Sequence, residues 1–333
     1  MREVNHPMPE INALIVEDVG KTWSSVPSDV HLHFCAGDPA SIDNALNDSI
    51  EILITDAMPT AADRWGGLRW VQLMSSGTDQ AIGHPLRQAG ALISSAAGIC
   101  AVHIAEFILA RLLYHTKRFE HFAADQTEHR WGDRVALSRP SLRGQHAVII
   151  GYGGVGREAA RMLSTLGMRV TAVMRDPSER LYRGFLPAPG IGDDNAEIPE
   201  RLVATADLAS VLPDADVVIL TVPLNPATHH LIDAAALALL KPSAILINVA
   251  RGGVINTHDL LAALDRGELA HAYLDVFEQE PLPESSPLWD HPAVSITPHM
   301  AGVMPDTAAV LERLFLANLD RYRRGERLIN QLS

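Results

Sequence analysis

The sequence predicts an α/β fold of two doubly wound domains with a cleft between them, and three observations carry that expectation. The length, 333 residues, suits about two domains of ordinary size. Short apolar strands alternate with helical stretches over the first third, and again from residue 146 onward. The second series opens with His146-Ala147-Val148-Ile149-Ile150-Gly151-Tyr152-Gly153-Gly154-Val155-Gly156, an apolar strand running into G-x-G-x-x-G and then a helical stretch, Arg157 to Leu166. That order is what a dinucleotide-binding Rossmann unit needs. The first series reads as a smaller, flavodoxin-like doubly wound unit.

The elements follow in order. Ala13–Val16, His31–Cys35, Glu51–Thr55 and Arg69–Leu73 read as strands. His31 and His33 share one strand face, but no carboxylate or third histidine stands beside them, so they read as exposed or packed side chains rather than metal ligands. A helical pattern with Ile104, Ile108 and Leu112 on one face runs from about Ala101 to about Ala124. An irregular polar stretch, Thr127 to Arg143, contains Trp131. Further strands are expected at 146–150, Arg169–Val173, Asp216–Thr221, Ala244–Val249 and Ala272–Asp275. Gly184 to Pro199 reads as a surface loop, and a last helix, about Pro305 to Arg324, is expected to return to the first domain. The expected boundaries are 1–103 with 301–333 for the smaller domain and 104–300 for the larger.

Composition excludes several classes. Hydrophobic residues make up 47% and charged residues 20%, which fits a globular chain. The net charge of −13 with no basic patch argues against nucleic acid. No stretch approaches the roughly 18 apolar residues of a membrane span, and Met1 to Pro7 has no signal-peptide core, so a cytoplasmic location is expected. Cys35 and Cys100 lack metal-ligand spacing and read as small hydrophobes in a reducing compartment. No metal site is expected.

The glycine loop is chemically specific. Gly151 permits the tight turn, Gly153 lets backbone approach a pyrophosphate, and Gly156 lets helix pack on strand. The helix start offers N–H groups and the positive dipole end to phosphates. The alternative is a glycine-rich turn in another α/β domain, such as a methyltransferase. Arg251 follows an apolar strand, where open α/β sheets place ligands. Glu280 and His299 each lie just beyond another apolar run. Taken singly, these are an ion-pairing arginine, a loop glutamate and a hydrogen-bonded histidine.

Together with their surroundings they resemble the D-isomer-specific 2-hydroxyacid dehydrogenase family, in its glyoxylate/hydroxypyruvate reductase-like branch. The matching segments are the glycine loop, Asn248-Val249-Ala250-Arg251-Gly252-Gly253, Leu274-Asp275-Val276-Phe277 through Glu280-Pro281-Leu282, and Thr297-Pro298-His299, in family order over nearly the whole chain. The resemblance implies reduction of a 2-oxo acid to the D-2-hydroxy acid with a nicotinamide dinucleotide. His299 would be the proton donor, a task suited to an imidazole whose unperturbed pKa is about 6.5. Glu280 would orient and favour the protonated ring, and Arg251 would fork onto the substrate carboxylate and polarise the ketone.

The resemblance assigns further residues. Backbone N–H groups of Ser76 and Gly77, in Met74-Ser75-Ser76-Gly77, would grip the substrate carboxylate; without it the segment is a turn. Cofactor contacts would come from Gly151, Tyr152, Gly153, Gly154, Val155 and Gly156, from Val222, Pro223 and Thr228 beside the nicotinamide, from Val249 and Ala250, and from Asp275 at the carboxamide. Asp275 also reads as a strand-end cap. Trp65, Trp70, Leu73 and Met74 are either pocket walls or core, and His103 faces the site or packs in its helix.

Cofactor choice turns on the second Rossmann strand. Met174 occupies the position where NAD enzymes of this fold carry an acidic residue, and Arg175 follows it. That favours NADPH/NADP over NADH/NAD, unless Asp176 reaches the ribose. Glu280 in place of glutamine argues against the formate dehydrogenase branch. The end at Ser333 leaves no room for a regulatory domain. Two other functions share the trio, a dinucleotide-sensing scaffold and phosphite oxidation. A homodimer built on the helix from 101 and the arm after it is also implied.

Overall fold

The computed structural model describes residues 10–133 and 135–332. The segment Met1 to Pro7 and the terminal Ser333, which carried two of the expectations, lie outside the described residues. The chain divides into two compact units: one takes the described residues of Met1–Ile99, Arg183–Phe185 and Pro305–Ser333, the other Cys100–Tyr182 and Leu186–Met304. The sequence placed the divisions at 103/104 and 300/301; the units divide at 99/100 and 304/305.

The smaller unit holds β1 (Ile11–Val16), β2 (Val30–Cys35), β3 (Ile52–Thr55), β4 (Trp70–Leu73) and β5 (Leu92–Ser94). They form a parallel sheet in the order β2-β1-β3-β4-β5, the flavodoxin-like arrangement. β3 and β4 are buried at every position, as central parallel strands covered on both faces must be. Trp70 and Leu73 are therefore core. The last helix, Thr307–Arg323, lays Phe315 on Trp70, with ring centroids 5.4 Å apart and planes at 10°. The Trp70 indole donates to Ser94 Oγ at 2.8 Å, and Asn318 donates to the buried Gln72 at 3.1 Å, so these polar side chains pair with one another beneath the helix.

The larger unit holds β6 (His146–Ile150), β7 (Arg169–Met174), β8 (Arg201–Ala204), β9 (Val217–Leu220), β10 (Ile245–Asn248), β11 (His271–Leu274) and β12 (Val294–Ile296). All pair in parallel, in the order β12-β11-β10-β9-β6-β7-β8. Counted from β6 this is the doubly wound order 3-2-1-4-5-6 with a seventh strand beyond. The direction of winding reverses between β6 and β9, and ligands of such sheets bind at the carboxyl ends there.

Several expectations need correction. The helix expected to run from 101 to 124 is two helices, Ala101–Thr116 and Phe119–Thr127. Arg118 between them is left-handed (φ 57°), and the Thr116 hydroxyl bonds back to Leu112 O at 2.9 Å, which weakens the helix at that turn. β5, β8 and β12 were not anticipated, because three or four residues are too few to show alternation. The 184–199 stretch is not only a surface loop, since Asp193 and Ala196 within it are buried.

The cysteines and paired histidines are bland. His31 and His33 are exposed on β2, and His33 Nε2 lies 2.8 Å from Asn12 Oδ1. Burial, then the nearby Asp38, push the Cys35 thiol upward, away from reactivity. Among the described residues no group of His, Cys, Asp and Glu could hold a metal, and no helix is long and apolar enough to cross a membrane.

Candidate active site

The glycine loop sits at the switch point. Gly151, at φ 100°, follows β6 and presses on the backbone beyond β9: a Cβ there would lie 2.8 Å from Thr221 C and from Val222 N. A Cβ on Gly156 would fall 2.1 Å from Gly151 O, and the Thr221 hydroxyl ties the turn by donating to that oxygen at 2.6 Å. A Cβ on Gly153, by contrast, would meet nothing within 4 Å. Two glycines thus close the turn, and the middle one faces open space at the start of the helix Gly154–Thr165, which no side chain caps. The residues fit a dinucleotide pyrophosphate. Tyr152 contributes backbone alone, because its hydroxyl is buried against Asp193 Oδ2 at 2.6 Å.

β10, β11 and β12 are neighbours, so the segments beyond them emerge side by side, each about 4.8 Å from the next. Arg251 follows β10, Asp275 follows β11 and His299 follows β12. Asn248 holds the first turn, accepting Ala250 N–H at 3.0 Å and donating to Arg251 O at 3.1 Å. Arg251 is half-buried and donates through Nη1 to Ala250 O at 2.8 Å. His299 is left-handed (φ 49°) and its Nδ1 lies 2.7 Å from Glu280 Oε2. This contact engages Nδ1 and leaves the other ring nitrogen, Nε2, outside it. Glu280 is held in turn by Phe277 N–H, donated to its Oε1 at 2.9 Å.

Asp275 organises this corner. Its carboxylate, 2% exposed, accepts from Thr297 Oγ1 at 2.7 Å and from the N–H groups of Met300 and Ala301 at 2.9 Å, while its carbonyl accepts His299 N–H at 2.8 Å. The strand-end cap is present, and it leaves the cofactor reading of Asp275 open. Three of roughly four acceptor positions are used, which leaves one for a ligand.

Gly252 explains why Arg251 stands beside the Glu280 segment. A Cβ there would sit 1.8 Å from Phe277 C and 2.2 Å from Glu278 N, backbone that cannot step aside. Gly252→Ala is therefore expected to lower stability by about 3 kcal/mol or more and to spread the two segments. Gly253→Ala meets only side chains, Leu224 at 3.2 Å and His229 at 3.7 Å, which can give way, so its cost should be small beside that of Gly252→Ala. Thermal melts of the two variants, side by side, check this; equal melting temperatures would refute it.

The remaining assigned residues divide. The Thr228 hydroxyl donates to Pro223 O at 2.6 Å and accepts Asn225 N–H at 2.9 Å, so it closes the 223–228 loop. Val222 and Ala250 are buried and Val249 is half-buried, just beyond the carboxyl ends of the neighbouring strands β9 and β10. Arg175 is exposed just past β7. In the smaller unit the Ser76 hydroxyl donates to Ala96 O at 3.2 Å, so any ligand role for Ser76 and Gly77 rests on backbone. His103 is half-buried in its helix. Sequence reasoning assigned no role to Asn248, Thr297 or the His230–Glu278 pair (2.7 Å). The first two stand inside quoted motifs, which was the available signal; the last had none.

Comparison with known proteins converges on one group. Residues 109–301 match the model of the NAD binding domain of D-isomer specific 2-hydroxyacid dehydrogenases. The chain is 34% identical over 262 residues to the (S)-sulfolactate dehydrogenase of Chromohalobacter salexigens, covering 79% of each chain. It is 30% identical over 285 residues to the glyoxylate reductase of Thermofilum pendens, covering 84% of this chain and 77% of the relative. A D-isomer specific 2-hydroxyacid dehydrogenase from Xanthobacter autotrophicus, solved with NADPH and MES, superposes with a TM-score of 0.76 at 25% identity over 96% of this chain and 98% of that one. The family match over residues 109–301 and these relatives show that the chain belongs to the D-isomer specific 2-hydroxyacid dehydrogenase family of NAD(P)-dependent oxidoreductases.

Proposed function

We propose that this protein reduces a small 2-oxo acid to the D-2-hydroxy acid with NADPH. The observation that carries the reading is the 2.7 Å Glu280–His299 pair, set on the segments that follow β11 and β12, in the same sheet as β10, which ends at Asn248 just before Arg251. A reduced dinucleotide held at the glycine loop would supply the hydride to C2. His299 Nε2 gives the ketone oxygen its proton, and Glu280 keeps the ring aimed. Arg251 takes the substrate carboxylate with its planar fork and stabilises charge developing on the oxygen. The backbone N–H groups of Ser76 and Gly77 are assigned to the same carboxylate. The domain assignment, dinucleotide binding by the larger unit and substrate binding by the smaller, is part of the proposal.

Two observations support NADPH. Met174 ends β7 without a carboxylate, and Asp176 is engaged locally: its Oδ1 accepts Ser178 N–H at 2.9 Å and Ser178 Oγ–H at 2.7 Å. Arg175 is then the charged group offered to a ribose phosphate. A cytoplasmic homodimer completes the reading. Trp131 at 90% and Phe119 at 53% exposure, both near the 119–127 helix, support a covered face.

A panel of glyoxylate, hydroxypyruvate, bulkier 2-oxo acids and a sulfonated 2-oxo acid against both reduced cofactors tests the proposal. Turnover with NADPH preferred is expected, and Arg175→Ala should lower kcat/KM for NADPH about tenfold while sparing NADH. A tenfold preference for NADH would defeat the cofactor assignment. A silent panel with tight dinucleotide binding points to a scaffold, and reduction of the oxidised cofactor by phosphite points to phosphite oxidation.

A further inference from the structure

The amino edge of the seven-stranded sheet carries a second set of chemistry-bearing residues. The strands β6, β9, β10 and β11 begin there, and a cavity of about 780 Å³ opens among the residues at their starts, including Gln145, Asp216, Ile245 and His271. The break between the helices Ala101–Thr116 and Phe119–Thr127 contributes Arg118 to its wall, and the polar segment after them contributes Arg139. A smaller cavity of about 360 Å³ shares His115, Arg118, His271 and Pro292 with it. Every lining residue belongs to the larger unit. The glycine turn, Arg251 and His299 follow the opposite, carboxyl ends of the strands, and β10, with 4 residues, puts about 10 Å between the two edges. The cavity is therefore separate from the candidate active site.

Its charge is unbalanced. Asp216 is already engaged, by Lys241 Nζ at 2.7 Å and by His146 N–H at 2.8 Å. Glu120, on the smaller cavity, is exposed to solvent, and Asp265 lies 3.4 Å from His291. Against these stand Arg118 and Arg139, neither of which is in an ion pair among the described residues. Arg118 Nε is buried and has no hydrogen-bond acceptor there. A buried donor on a charged group is rarely left in that state. The carboxyl end of the Ala101–Thr116 helix offers roughly half a negative charge, too little to offset two guanidinium charges. The imidazoles register the excess. Burial, then Arg139 and Arg118, hold His115 below its ordinary value; burial, then His115, His291, Arg111 and Arg118, take His271 down to about 4. In both cases the neighbouring charges responsible are cationic. We propose that this cavity binds a small molecule of two or more negative charges, borne on phosphate or carboxylate groups, with the guanidinium groups of Arg118 and Arg139 as its anchors. A guanidinium pairs with either group through two parallel charge-assisted hydrogen bonds, and the cavity is of the size that small-molecule sites have. Because it lies at the edge away from the glycine turn, it is filled independently of a dinucleotide.

Inorganic pyrophosphate and citrate, titrated calorimetrically into the full chain with and without saturating NADPH, test the inference. One anion per chain is expected to bind in both conditions. Affinity is expected to fall at least about tenfold in the Arg118→Gln/Arg139→Gln double variant and to stay unchanged in Arg251→Ala. Arg139→Gln alone, a change at an exposed position, should weaken binding a few-fold, and it decides the matter if melting curves show the double variant to be unfolded. Binding of either anion with this pattern supports the site and identifies the class of its ligand. The inference is overturned if neither anion binds, or if the cavity variants bind as tightly as the wild type. Loss of binding in Arg251→Ala or under NADPH overturns it as well, since the anion then sits at the groups assigned to substrate and dinucleotide.

Discussion

Replacing His299 with asparagine is expected to lower kcat by about 10²- to 10⁴-fold, with KM for the 2-oxo acid changing only a few-fold. The reason is local. Nδ1 is committed to Glu280 at 2.7 Å, so the proposed mechanism assigns proton delivery to Nε2, and an amide cannot replace it. Asparagine is preferred to alanine because His299 is left-handed at φ 49°, which alanine adopts at a cost of about 1 to 3 kcal/mol. Asparagine tolerates that conformation, so loss of activity reads as loss of the proton donor rather than of the loop. His299→Ala should show the same fall in kcat with a lower melting temperature. Near-normal turnover in either variant would remove the proton-transfer assignment.

Arg251→Ala is expected to raise KM sharply and to lower kcat/KM by about 10³-fold, since the residue is assigned both to the ground-state carboxylate and to the developing charge. Arg251→Lys should recover only part of this. An ammonium keeps the charge, but it cannot present two parallel N–H groups to a carboxylate. The Arg251 backbone is held by Asn248 and squeezed by the Gly252–Phe277 contact, so neither change should disturb the fold. Steady-state kinetics with melting curves would check both, and a KM within twofold of wild type for Arg251→Ala would show that the carboxylate is bound elsewhere.

Arg251, Glu280 and His299 stand out in the sequence because each sits beyond an apolar run inside an ordered motif. Their alignment along one sheet edge was not legible, since β12 is three residues long and its place beside β11 is a long-range pairing. Asp275 shows the same limit. Its position suggested either a cofactor contact or a cap, and only the folded 297–301 turn reveals how many donors converge on it.

By itself the sequence determined what depends on neighbours along the chain: the long strands, the G-x-G-x-x-G turn with its following helix, and the residue types available for chemistry. Periodicity and glycine placement are local signals, and they survive without knowledge of contacts. The tertiary structure alone decided the helix break at Arg118, the short strands, the close approach at Gly252 and the pinning of the 175–200 crossover by Arg157. Each of these depends on where distant backbone lies, and a hydrogen bond or a steric limit between distant segments leaves no periodic trace in the sequence.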